Sequence, residues 1–389
     1  MVSYNLCFLS KTRQTEIQSR IFPRLCSGSP MVESCEQGGV LPCFRRNIQV
    51  YQYDGGVVDA QGHFVEASGL HEAPCLVGGS YSVSFQKSCA KAIYIGFLLP
   101  EWGNTITDSL KKLWFLNTSE GKQLLLEGAE VVYVTFENEP LKEYQLELFR
   151  LAGFDATKWK QITQPTQFSE VIVPGNSLVT SPNDVRFYYS DFLQIVRKIK
   201  SEAAACAEKE GWKFDSEKIY LTRTRWKQGR DSNEKQIEDI FRRLGYHIIS
   251  PEQLGVVRQI MLLSSCCCMA ATEGSISHNA LFMSPDSELI ILQKADYVND
   301  YQLMINEISD LRVTYIPAHH STLVNQEMPW GGPFYLCLTP QLKAWSGLSL
   351  RILPVGLQPQ YWKYCLLHSR WLTSLKLRVY LLYRRLRKN

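Results

Sequence analysis

Apolar positions fall into short continuous runs, separated by stretches with helical spacing. Residues 92–99 are apolar throughout, as in a strand buried on both faces, and Pro100 ends the run. A helical pattern follows through Leu116, with Asp108 about one turn inside it. Residues 129–136 predict a second buried strand, 140–151 a helix closed by Gly153, and 171–173 a third strand. Residues 182–209 predict one long helix, capped by Ser181 before Pro182, with Phe187, Phe192, Ile195, Val196 and Ile199 on one stripe.

From 215 to 292 the alternation is densest. A strand at 218–222 runs into a basic turn, and Asp231 with Glu234 opens a helix in capping-box spacing, closed by Gly245. A strand at 246–249, a helix start at 250–253 and a strand at 266–272 follow. A Gly-Ser turn, a helix from Ala280 and a strand at 287–292 complete the unit. Strands alternating with helices predict an α/β fold, mainly parallel sheets with helices on both sides. The expected division is a β-rich N-terminal cap over 1–90, with turns at 54–56 and 78–79, and a Rossmann-like acceptor domain over 91–181. A nucleotide-sugar-binding domain over 182–325, a return segment over 326–359 and a basic amphipathic tail over 360–389 follow.

Composition adds limits. A length of 389 residues, 45% apolar and 21% charged, fits a soluble protein of two middling domains. No run of uncharged apolar residues is long enough to span a bilayer, and the first residues do not read as a secretory signal. The twelve cysteines include the consecutive Cys266, Cys267 and Cys268 and no C-x-x-C pair, so buried, reduced thiols in the cytoplasm are expected rather than zinc or disulfides. His63 and His71 have no second ligand at metal spacing, and His247 reads as a core or edge residue. The net charge of +4 is concentrated in residues 360–389, which hold eight Lys/Arg and no acid and leave a body of net −4. Nucleic-acid binding is therefore not expected. The tail's apolar stripe at Leu367, Trp371, Leu375, Val379, Leu382 and Leu386 reads as an interfacial helix on an anionic membrane surface, and the alternative is a helix docked on the protein.

The chemistry gathers at predicted strand ends, where open α/β sheets place their ligand crevice. Arg223, Arg225, Lys227 and Arg230 follow the strand at 218–222 and could neutralise a diphosphate, the arginines gripping its oxygens in pairs. Gly274 and Ser275 open a helix whose free N–H groups suit an anion. Glu252 faces the crevice side, where holding ribose hydroxyls and complementing a helix dipole are both open to it.

Three stretches resemble glycosyltransferase family 61, which includes bacterial surface-polysaccharide transferases and eukaryotic xylosyl- and N-acetylglucosaminyltransferases. They are Gly103-Asn104-Thr105-Ile106-Thr107-Asp108 with Leu113 and Trp114; Tyr220-Leu221-Thr222-Arg223 through Arg230 and Asn233-Glu234; and Gly274-Ser275 through His278-Asn279 to Phe282. Order and spacing agree over about 95–295. Two positions depart from the family pattern: Asn104 and Glu273 each stand where a histidine is usual. The first removes an imidazole, and the second bears on donor choice.

The resemblance implies a GT-B fold, two Rossmann-like domains facing a cleft. It also implies inverting transfer from a nucleotide-sugar, a UDP-sugar by expectation, to a glycan or lipid-linked saccharide in surface-polysaccharide (capsule) synthesis. No metal and no further cofactor is expected. Inverting transfer needs a base for the acceptor hydroxyl and cations for the leaving diphosphate. Asp108 is the expected base, with Gly103 and Asn104 on the acceptor side. Arg223, Arg225, Arg230, Glu252, Glu273, Gly274, Ser275, His278 and Asn279 are expected at the donor. The competing readings are a polysaccharide pyruvyl transferase and a non-enzymatic scaffold of a polysaccharide assembly complex. The expected location is cytoplasmic, peripheral at the inner face of the plasma membrane.

Overall fold

Alternate residues of the central strands enter different cores, as the period of two in an extended chain requires. Ile93 and Ile95 join one apolar cluster and Ala92 and Tyr94 another; Ile219 and Leu221 join the first of these and Tyr220 a third. Strands buried on both faces have no solvent side, which is why they read as continuous apolar runs. The computed structural model describes residues 2–21, 24–43, 46–47, 52–70, 83–180, 186–215, 217–225, 231–320 and 332–368.

Two parallel sheets organise this α/β protein. The first has the strand order Lys160–Gln161, Glu130–Val134, Lys91–Phe97, Glu170–Pro174 and Val32–Glu36, all parallel except the last. The second is parallel throughout, in the order Ser3–Asn5, Arg312–Pro317, Glu288–Gln293, Cys268–Thr272, Lys218–Leu221, His247–Ile249. In the second sheet the chain goes from Lys218–Leu221 outward to His247–Ile249. It then returns to the other side as Cys268–Thr272, so the order reverses between those two inner strands. The first sheet reverses likewise at Lys91–Phe97. Such switch points open crevices beyond the carboxyl ends of the strands.

Helix Ser190–Lys209 buries Phe192, Ile195, Val196 and Ile199, and its cluster also takes in residues of both sheets and of helix Val256–Ser265. On the far face of the second sheet, helices Glu234–Arg243 and Pro340–Ser346 cover Tyr220, Ile290 and Leu292.

Several elements differ from the sequence expectation. Residues 1–90 are not one cap: Ser3–Asn5 pairs with Arg312–Thr314 at the edge of the second sheet, and Val32–Glu36 closes the first. The long helix begins at Ser190, because Arg186–Tyr189 is a strand between Leu178–Thr180 and Arg24–Cys26. Phe187, Tyr188 and Tyr189 favour the pleated backbone, and the place of Phe187 on the expected helical stripe is coincidental. The Ser181–Pro182 cap lies outside the described residues. Asp231 does not cap a helix: Asp231–Ser232 pairs with Phe334–Tyr335, and the helix starts at Glu234 after Asn233, at φ +69°. Residues 251–253 form a separate 3-10 turn, and the next helix starts after Gly255. The first-motif helix is only Trp102–Ile106, so Asp108 lies in the turns beyond its end. Thr107 is the last cap, its hydroxyl bonded back to the Gly103 carbonyl. Cys266 and Cys268 are buried but Cys267 is exposed, and none of the three is in a disulfide. The turn at 78–79 and His71 lie outside the described residues.

Candidate functional site

A cleft of about 1270 Å³ lies where the two sheets present the carboxyl ends of their strands. One wall is built from the first sheet. Pro100, Glu101, Trp102 and Asn104 follow the strand Lys91–Phe97, and Glu139, Lys142 and Tyr144 come after Glu130–Val134. The other wall carries Arg223, Asp231, Glu252, Glu273, Gly274, Ser275, His278, Lys294 and Tyr301.

The walls meet at the first and third motifs. The indole N–H of Trp102 donates to the side-chain oxygen of Asn279 at 3.0 Å, and Gln259 donates to the same oxygen. The Asn279 amide donates to the Ile276 carbonyl at 2.8 Å. Asn279, itself a cleft-lining residue, thus fastens the two walls together. Gly103 lies against the third motif: a Cβ there would stand 2.6 Å from Ser275 Oγ, 2.8 Å from Ser275 Cβ and 3.1 Å from His278 Nδ1. Asn104 faces the cleft and donates to Glu101 at 3.4 Å.

The cationic part sits at the switch point of the second sheet. Arg223 leaves the strand Lys218–Leu221, its backbone N–H donating to the Glu234 carboxylate at 3.2 and 3.3 Å. Thr222 donates to Glu238 at 2.6 Å, and the Thr224 hydroxyl bonds the same oxygen. Both acids belong to the helix Glu234–Arg243 and are buried, so they hold the turn that aims Arg223. Burial, with the nearby Asp231 charge, pushes the Glu234 carboxyl up to about 7.

Lys294, at the carboxyl end of Glu288–Gln293, is buried and paired with both Asp231 oxygens at 3.2 Å, its ammonium 4.4 Å from the centre of the Phe334 ring. Burial lowers its pKa and Asp231 opposes the shift. The strand-end rule that points to Arg223 applies equally to Lys294, a lysine directly after the strand Glu288–Gln293, and it is the cation missing from the sequence expectation.

Glu273 and His278 both ionise reluctantly. Burial pushes the Glu273 carboxyl up to about 8, against the backbone N–H of Asn299 at 3.3 Å and the Lys294 charge. Burial lowers the His278 imidazole to about 4, so it is neutral near pH 7. Neither His278 nitrogen has a partner at hydrogen-bonding geometry among the described residues, although the Asn299 side chain lies close enough to favour its charged form.

Other expected residues lie elsewhere. Arg225 is exposed, donates to Gln253 at 3.0 Å and is not among the cleft-lining residues. Arg230 and Lys227 fall outside the described residues. The Asp108 carboxylate is fully enclosed, so it does not line the cleft: Lys111 donates to it at 3.0 Å, and the hydroxyl of the cleft residue Tyr301 at 2.6 Å. His63 is an exposed partner of Asp59 at 3.1 Å, and His247 is exposed beside Glu217. Among the described residues no three His, Cys, Asp or Glu side chains converge as a metal site, and no helix is long and apolar enough to cross a membrane.

No curated protein matches the sequence. Residues 102–290, which contain both motif walls and the arginine turn, match the family described as Glycosyltransferase 61, and this match supports a glycosyltransferase enzyme.

Proposed function

We propose that the protein moves a sugar from a nucleotide-sugar, a UDP-sugar in this reading, to a hydroxyl of a glycan or lipid-linked saccharide, with inversion, in surface-polysaccharide synthesis. One observation carries the proposal. Arg223 and Lys294 stand at strand ends on either side of the Gly274–Ser275 turn, in a cleft whose opposite wall carries the first motif. Arg223, the Lys294 ammonium with its Asp231 partner, and a turn of backbone N–H groups suit a diphosphate leaving group, and the charge that develops on it meets donors already in place. The two switch points face one cleft, which supports a GT-B arrangement with the donor on the second sheet and the acceptor on the first. Glu252 lies along the same wall, within the region a ribose would occupy, and His278 would meet the donor sugar. The proposal needs no bound metal, because side chains supply the positive charge.

The basic tail extends the proposal to location. Residues 360–389 hold eight Lys/Arg and no acid, and the described helix Pro359–His368 exposes Trp362, Leu366 and Leu367. This suits peripheral attachment to an anionic membrane at its cytoplasmic face.

Thermal-shift titrations test the core of the reading. Nucleoside diphosphates should stabilise the protein and phosphoenolpyruvate should not. Arg223→Met and Lys294→Met should each weaken diphosphate binding at least tenfold, with melting of the unliganded variants reported alongside. Stabilisation by phosphoenolpyruvate alone would point instead to pyruvyl transfer, and response to neither would point to a scaffold.

A further inference from the structure

The enclosed carboxylate of Asp108 poses a problem for glycosyl transfer, and its bonding partner offers a solution. Asp108 sits beyond the helix Trp102–Ile106 with no side-chain exposure, so an acceptor in the cleft cannot touch it in this arrangement. Tyr301 stands between. It lines the cleft, and its hydroxyl donates to Asp108 Oδ1 at 2.6 Å, across 193 residues of sequence. Lys111 holds the same oxygen at 3.0 Å, so the carboxylate is fixed from behind.

Tyr301 is itself well fixed. It is the second residue of the helix Asp300–Ile308, whose start is capped by the Asn299 side chain accepting from the Gln302 N–H at 3.2 Å. Asp300, next to it, is bonded by Arg20 at 2.7 Å and Arg186 at 2.8 Å. The His278 ring packs edge-on to the Tyr301 ring, centres 6.5 Å apart. A phenol held this firmly, with its proton already directed at a carboxylate, can accept from a hydroxyl that approaches on the cleft side.

We infer that Tyr301 is a catalytic residue that accepts the acceptor's proton while passing its own to Asp108. The inference rests on the glycosyl-transfer reading above. In the step, the acceptor O–H bond breaks and its proton goes to Tyr301 Oη as the Tyr301 proton moves to Asp108 Oδ1. The acceptor oxygen forms a bond to the anomeric carbon. The bond from that carbon to the diphosphate oxygen breaks, and its electron pair leaves with the nucleoside diphosphate beside Arg223 and Lys294. No oxidant or reductant enters. Asp108 acts here through Tyr301, so the two should fail together.

The full chain would be assayed for release of the nucleotide (UDP, GDP or CMP) from UDP-, GDP- and CMP-sugars, with water or added saccharide as acceptor. On the best donor, Tyr301→Phe and Asp108→Asn should each lower kcat by about 10²–10⁴-fold, the usual reach of acid–base catalysis. Donor KM and UDP binding should stay within about threefold of the wild type, since neither change touches the diphosphate grip. The double variant should be no slower than the slower single one, whereas independent, multiplying losses would overturn the relay. In mixtures of light and heavy water the wild-type rate should depend on deuterium fraction with the curvature of two protons in flight. A purely structural tie between the cleft walls would give no such curvature, so a linear dependence overturns the relay without a variant that must fold. A wild type that turns over normally and a Tyr301→Phe variant that keeps its kcat would sink the relay and leave glycosyl transfer standing. No turnover and no nucleotide binding by the wild type would sink both.

Discussion

Glu273 occupies a position where the chemistry of a residue is set almost wholly by its surroundings. Buried beside Lys294 and the Asn299 N–H, its carboxyl stays protonated to about pH 8, whereas an unfolded chain would release that proton near 4.5. Between those values the folded form binds the extra proton, so this group lowers stability as pH rises from about 4.5 to about 8 and adds no further loss above that. Each pH unit in the window is worth about 1.4 kcal/mol at most. Glu273→Gln should therefore raise the melting temperature at pH 8 and leave it nearly unchanged at pH 4.5, a comparison that calorimetry across pH would settle. The sequence made Glu273 visible as a departure from a pattern, and Arg223 as a cation at a strand end. It could not say that Asp108 would be enclosed or that Tyr301 would stand before it, because that contact joins residues 193 positions apart. Lys294 was within reach of the strand-end rule, but its pairing with Asp231 depends on a short strand that no local pattern announces.

At the scale of elements, the close approach of the helix Trp102–Ile106 to the turn before Ser277–Phe282 is what brings the two motif walls together. Only a glycine fits at residue 103, since the rigidly attached Cβ of Ser275 cannot rotate away as its hydroxyl could. Gly103→Ala should cost about 1–3 kcal/mol through forced displacement. It should also widen the cleft at His278, so that kcat falls more than melting does; parallel thermal and kinetic measurements would check both. Ser275→Gly in the same chain should recover part of each. The buried strands were legible because an unbroken apolar run suits a strand covered on both faces, and its shortness and flanking breakers separate it from a buried helix. The error at 186–189 has a clear cause: Phe187 falls on the helical stripe by spacing, yet its aromatic neighbours and two adjacent strands favour an extended backbone. The shortened helix before Asp108 was hidden for the same reason, since the apolar residues through Leu116 pack as turns and a 3-10 helix with no change in hydrophobic pattern.

For the whole molecule, the basic tail follows the last sheet strand in sequence, so membrane attachment and sugar chemistry are expected to be separable. Removing residues after His368 should leave nucleotide binding within about twofold while reducing flotation with phosphatidylserine-containing liposomes at least tenfold; equal flotation of the two forms would leave the tail without that role. The two-sheet plan was legible in outline, and the order of the strands was not, because parallel pairing carries no signature in adjacent sequence. That order has a consequence for how the protein is made. The edge strand Ser3–Asn5 is synthesised some three hundred residues before its partner Arg312–Thr314. At a translation speed of about 5–20 residues per second, the N-terminal segment waits roughly a quarter of a minute or longer before it can pair. The second sheet then closes over a loop that spans most of the chain, which is slow and leaves an edge open meanwhile.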